Sequence, residues 1–123
     1  MTSQSTAVVL FAHGSRDPLW RTPIDAVATE MRQQAPNVAV RCAFLELMSP
    51  DLHETVDALV TEGHRSIRIV PMFLGIGRHA REDLPQLVAG LRQRHPGLAL
   101  DLQPAIGEQV EMTRCMARLA LSS

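Results

Sequence analysis

The chain has 123 residues, 46% of them hydrophobic, with 12 basic and 13 acidic side chains and a net charge of −1. That is enough apolar material for one packed domain, and so balanced a charge gives no electrostatic reason to expect nucleic acid or an anionic membrane as partner. No apolar run approaches the roughly 20 residues of a membrane-spanning helix, and Met1 to Thr6 lacks the charged and apolar parts of a secretory signal. The expectation is a cytoplasmic protein forming a single domain over residues 1–123.

Aromatics are only 3%, so the core must be built from Leu, Val, Ile, Ala and Met. All 12 basic residues are arginine, a side chain that favours planar, bidentate partners such as carboxylates. Cys42 and Cys115 are far apart and show no C-x-x-C spacing, so neither a zinc site nor a redox pair is indicated. Both read as buried fillers.

In chain order, Ala7 to Ala12 is a continuous apolar run of strand length, the pattern of a strand covered on both faces. His13-Gly14-Ser15-Arg16-Asp17-Pro18 follows as a loop. Thr22-Pro23-Ile24-Asp25 predicts a helix start with Thr22 as cap, and Ile24, Val27, Ala28 and Met31 fall on one helical face. Pro36 ends that helix. Val38 to Leu45 reads as the second strand, with Glu46 at its end. Ser49-Pro50-Asp51 repeats the helix-start pattern. Leu52, Val56, Leu59 and Val60 mark the apolar face, and Gly63 is placed as a C-terminal glycine.

Ser66 to Met72 reads as the third strand. It leads into Phe73-Leu74-Gly75-Ile76-Gly77-Arg78, a loop with two glycines that delivers His79. Leu84, Leu87, Val88 and Leu91 mark a third helix, which Pro96-Gly97 stops. Leu98 to Leu102 is a short fourth strand. A closing helix runs from Glu108 to Leu121, with Val110, Thr113, Ala117 and Ala120 on one face. Alternation of strands and helices at this spacing predicts an α/β fold: a parallel four-stranded sheet with helices on both faces and right-handed crossovers. The favoured strand order is 2-1-3-4, with a switch point between the first and third strands.

In that order the first three strands are neighbours, about 5 Å apart per step. His13, Glu46 and His79 then come to the same edge of the sheet. Two imidazoles and a carboxylate with open positions suit borderline divalent metals such as Co, Fe, Ni or Zn. Each residue alone reads more readily as a solvated loop side chain; it is the combination at one edge that points to a metal. His53, His64 and His95 lie in or at the ends of helices and suit exposed or capping roles.

The residues His13-Gly14-Ser15-Arg16, Phe44-Leu45-Glu46 with Pro50, and Pro71 to His79 with Asp83-Leu84-Pro85 resemble the small sirohydrochlorin chelatases of the CbiX type. The resemblance runs from Val8 to about Val88. It implies a chelatase-like fold and ATP-independent insertion of a divalent metal (Co²⁺, Fe²⁺ or Ni²⁺) into sirohydrochlorin, for cobalamin, sirohaem or a related tetrapyrrole. It also implies a homodimer, and His13, Glu46 and His79 as metal ligands. On this reading His13 and His79 are catalytic, one of them accepting the pyrrole protons.

The macrocycle is a polycarboxylate. Leu74-Gly75-Ile76-Gly77 can lie against its face, or the glycines can serve turn geometry alone. Arg16, Arg78 and Arg81 can pair with its carboxylates, or remain solvated. Two rivals stand beside this. A non-catalytic metal or tetrapyrrole carrier would use the same ligands. A histidine-dependent phosphatase would need an arginine just before the histidine, where Ala12 stands. No P-loop or dinucleotide fingerprint is present, so no nucleotide is expected.

Overall fold

The computed structural model describes residues 6–122. The polar N-terminal stretch read above lies mostly outside them. Eight main elements alternate: β1 (Ala7–Ala12), α1 (Thr22–Gln34), β2 (Val40–Phe44), α2 (Leu52–Thr61), β3 (Ser66–Pro71), α3 (Arg78–Arg94), β4 (Ala99–Leu102) and α4 (Val110–Leu121). Short 3-10 turns, Pro18–Arg21 and Ile106–Glu108, precede α1 and α4. The four strands form one parallel sheet in the order β2-β1-β3-β4, as expected.

Alternation along the strands splits the core in two. Val9, Phe11, Ile67, Ile69 and Leu100 pack under α2 and α3, against Leu52, Val56, Leu59, Leu84, Val88 and Leu91. Val8, Leu10 and Val40 face the other way, against Ala28, Ile24 and Met31 of α1. Each large side chain buried this way contributes about 1.5–3 kcal/mol. β1 is buried along its whole length because it lies between β2 and β3 with helices packed on both of its faces.

Several local expectations shift. Thr22 is not the cap of α1; it is the first helical residue, and the 3-10 turn capped by Asp17 occupies the entry. Nor does Ser49 cap α2. Asp51 does, accepting from the Glu54 amide at 2.8 Å while Glu54 accepts from the Asp51 amide at 2.9 Å, a reciprocal box that satisfies two free donors. Gly63 does follow α2 with φ +101°. Val27 is more exposed than its α1 neighbours.

The two cysteines are half-buried rather than buried. Burial still pushes the Cys42 thiol up, which leaves it an inert filler. β2 is shorter than its apolar run, and β3 stops at Pro71. The largest departure is α4. No residue of it is buried, and Val110, Thr113, Ala117 and Ala120 point to solvent.

Candidate metal-handling edge

The carboxyl ends of β1, β2 and β3 are level. Ala12 pairs with Phe44, and Phe11 with Pro71. The hydrogen bonding runs on beyond the strands: Leu45 N–H donates to the Ala12 carbonyl at 2.8 Å, Glu46 N–H to the His13 carbonyl at 3.0 Å, and Met72 N–H to the Phe11 carbonyl at 2.8 Å. His13 and Glu46 are therefore locked together through their backbones, although 33 positions separate them.

Gly14 makes this approach possible. Its φ is +95°, and a side-chain carbon there would run into the Glu46 carbonyl oxygen. Only glycine accepts both conditions at little cost. On the other side of Glu46, Leu47 is held at φ +67°, a strained setting for a branched residue that persists where the surroundings fix it. The Phe44 amide, donating to the Pro50 carbonyl at 2.9 Å, ties that loop back to its strand.

His79 arrives differently from the expectation. It is not in a loop; α3 begins at Arg78, so His79 lies in the first helical turn. Gly77 is the N-cap and offers no side chain to the free helix amides, and no acidic residue stands in that first turn. Arg78, His79 and Arg81 thus cluster at an uncapped positive helix end. His13, Glu46 and His79 are all exposed, as are Arg16, Leu74, Gly75, Gly77 and Arg78, while Ile76 is half-covered. Among the described residues, no three His, Cys, Asp or Glu side chains stand close enough to hold a metal ion. Topology brings the three to one edge, but their side chains are not drawn into a preformed cage.

Phe73 was not singled out from the sequence. Its buried ring stacks on His13, centroids 4.4 Å apart, and touches Phe11 at 6.3 Å. The available signal was a rare aromatic directly after a buried strand. Leu45, Leu47 and Leu74 add exposed apolar surface after β2 and β3. Leu45 also borders a groove of about 460 Å³ shared with His53, Asp83, Leu84 and Leu87.

The other histidines are elsewhere. His95 and Arg94, ending α3, both bond Asp57 of α2, at 2.8 Å each. These bonds, from Arg94 first and His95 second, hold the Asp57 carboxyl below its usual range. His64 lies 3.9 Å from Glu62. A cavity of about 280 Å³ opens between these two clusters, away from the edge carrying His13 and Glu46.

A level parallel sheet with histidines and a carboxylate delivered to one edge defines a chelatase-like α/β unit. The CbiX family model matches residues 7–122, and the chain belongs to that family. It is similar to the sirohydrochlorin cobaltochelatases of Methanococcus aeolicus (33% identical) and Methanopyrus kandleri (34%), each over 82 residues. Those stretches are 67% of this chain and 57% of each relative, so the match covers little over half of their length.

Among solved structures, a putative cobalamin biosynthesis CbiX protein from Marinobacter aquaeolei superposes with a TM-score of 0.82 at 28% identity, over 94% of this chain and 93% of that one. The sirohydrochlorin chelatase SirB of Bacillus subtilis subspecies spizizenii, in complex with cobalt, shares the fold at TM-score 0.78 and 24% identity. Its alignment takes in 93% of this chain but 49% of SirB.

Proposed function

We propose that this chain inserts a divalent metal, Co²⁺ foremost and Fe²⁺ or Ni²⁺ as alternatives, into sirohydrochlorin without ATP, working in the cytoplasm as a homodimer. Family membership and the names of the relatives support the reaction class. The observation that carries the assignment of residues is the backbone pairing of His13 with Glu46, at the edge that α3 enters with His79.

The reaction exchanges one metal ion for two pyrrole protons. His13, Glu46 and His79 hold the incoming metal, and an imidazole accepts protons as they leave. Exposed ligands not drawn into a cage suit this task better than a rigid site, because the ion must be released to the macrocycle. Backbone locking of His13 and Glu46 fixes where the ligands start from. Stacking on Phe73 limits how His13 turns.

Gly75 and Gly77 favour a role toward a ligand. Neither has positive φ, and a side-chain carbon at either would meet nothing within 4 Å. The turn itself does not demand glycine at either position, whereas a flat macrocycle lying on the loop would. Arg16, Arg78 and Arg81, with the uncapped end of α3, supply donors for its carboxylates.

The test follows absorbance of sirohydrochlorin with Co²⁺, with and without protein. Acceleration by the wild type and its loss in His79→Ala, with an unchanged circular dichroism spectrum, support the assignment. Binding of metal and macrocycle without faster insertion would make the chain a carrier instead. Near-normal activity in the variant would remove His79 from the reaction.

A further inference from the structure

We infer that Phe73 is a positioning residue of the reaction: its ring sets the plane in which His13 presents its nitrogens to the ion, and ties that plane to the loop on which the macrocycle rests. The inference rests on the chelatase reading above and adds a residue to it. Register, the bonding of the His13 ring and the setting of Leu74 each lead to it.

Register brings the two rings together. Phe11 pairs with Pro71, so two residues further along each chain His13 stands opposite Phe73. Side chains alternate along an extended chain, and Phe11 and Phe73 share the face toward α2 and α3. Phe73 is anchored before it meets the histidine. It is 5% exposed, its ring packs on Phe11 with centroids 6.3 Å apart, and its carbonyl accepts the Gly107 amide at 2.9 Å. The exposed His13 ring lies on this fixed support, centroids 4.4 Å apart and planes tilted by 35°.

A histidine that binds metal ordinarily has its ring oriented by a hydrogen bond from its other nitrogen. Among the described residues, the one histidine ring held by such a bond is that of His95, on Asp57. His13 has a buried aromatic face against it instead. A stack on one face restricts the plane of the imidazole and leaves its nitrogen edge open, which suits an ion that is held and then given up. A metal-bound imidazole is also electron-poor, and the π face beneath it favours that state.

The same residue reaches the macrocycle side. Leu74 follows Phe73 directly, is 72% exposed, and has the Gly107 backbone set against it. A ring pressing on Leu74 to Gly77 therefore bears on Phe73, and through Phe73 on His13. Phe73 joins the ion held after β1 to the macrocycle seated after β3. Filling the core does not require this: leucine would fill it too, but offers no ring to the imidazole.

Phe73→Leu and Phe73→Tyr, compared with the wild type, test the assignment. NMR of metal-free, histidine-labelled protein reads the ring-current displacement of the His13 C–H signals, which His13→Ala identifies. Calorimetry reads Co²⁺ affinity, and absorbance separates kcat from KM for sirohydrochlorin. In Phe73→Leu the His13 signals should move to the positions of a solvated histidine. Co²⁺ affinity and kcat should each fall about 10- to 100-fold, the loss usual when a ligand's orienting partner is removed, with KM little changed. Phe73→Tyr keeps the ring and should stay near the wild type in all three. Should Phe73→Leu fail to fold, Phe73→Met, an unbranched filler of the same space, replaces it. Unmoved His13 signals or wild-type Co²⁺ affinity in the variant without the ring overturns the role, and so does a Phe73→Tyr as impaired as Phe73→Leu. The NMR and Co²⁺ measurements need no macrocycle. A wild type that binds Co²⁺ but inserts none therefore overturns the chelatase reading alone, and one that binds no Co²⁺ overturns both.

Discussion

Replacing Gly14 by alanine strikes the contact that joins His13 to Glu46. The new carbon would overlap the Glu46 carbonyl oxygen, with the carbonyl carbon 3.1 Å away and the Phe44 Cβ at 3.5 Å behind it. The residue cannot turn aside, because its neighbour His13 accepts the Glu46 amide at 3.0 Å and Ala12 accepts the Leu45 amide at 2.8 Å. Holding alanine at φ +95° costs about 1–3 kcal/mol. Relieving the overlap loses a backbone hydrogen bond, worth about 0.5–1.5 kcal/mol. The variant should therefore lose about 2–4 kcal/mol of stability, a fall in Tm on the order of 10 °C for a domain of this size. Urea unfolding followed by circular dichroism measures the first quantity, and Co²⁺ titration calorimetry measures what happens to the ligands. Because the clash pushes Glu46 away from His13, Co²⁺ affinity should drop at least about tenfold in protein that is still folded. A loss under about 0.5 kcal/mol with unaltered Co²⁺ binding would refute the claim that this glycine sets the spacing.

Gly75→Ala and Gly77→Ala should behave in the opposite way: with open space at both positions, stability stays within about 0.5 kcal/mol. Sirohydrochlorin affinity, read by absorbance titration, should fall several-fold, and unchanged affinity in both would detach the loop from the ring. Gly107→Ala places a carbon against the Leu74 backbone; it should cost about 1–3 kcal/mol and slow metal insertion through the displaced loop, as stopped-flow absorbance would show. Asp57→Asn tests the link between α2 and α3. The Asp57 carboxyl is held below its usual range by Arg94 and His95, so its contribution is present at neutral pH and disappears as pH falls through the depressed value. The wild type should exceed the variant by under about 1 kcal/mol near pH 7, since the group is partly exposed, and the two should converge in strong acid; a gap that widens in acid would show the pairing read wrongly.

How much of this was legible beforehand differs from element to element. Ala7–Ala12 announces a central strand because six consecutive apolar residues, too short for a typical helix and followed by a glycine loop, suit a strand covered on both sides, and the structure buries all six. The apolar faces of α2 and α3 follow from helical spacing and reappear intact in the core. Chain ends of elements were less legible. Thr22 and Ser49 both look like caps, but the residue that caps is the one whose backbone turns at the right place, and a preceding 3-10 turn or an acidic neighbour displaced them. His79 moved from loop to helix because Gly77 is the N-cap and α3 starts at Arg78, six residues before Leu84, the first apolar position that marks it in the sequence.

For the site, the sequence alone determined which side chains are available and, through the alternation of strands and helices, that His13, Glu46 and His79 reach one edge. That much is local patterning plus the short list of ways a parallel sheet can be connected. Tertiary structure alone decided the rest. The role of Gly14 depends on a carbonyl 32 residues away, and Phe73 matters because its ring meets His13. Whether α4 is covered depends on what else is nearby, which no periodicity within twelve residues records. Contacts between segments remote along the chain exist only once the chain has closed on itself, and there the pattern of one segment carries no information about the other.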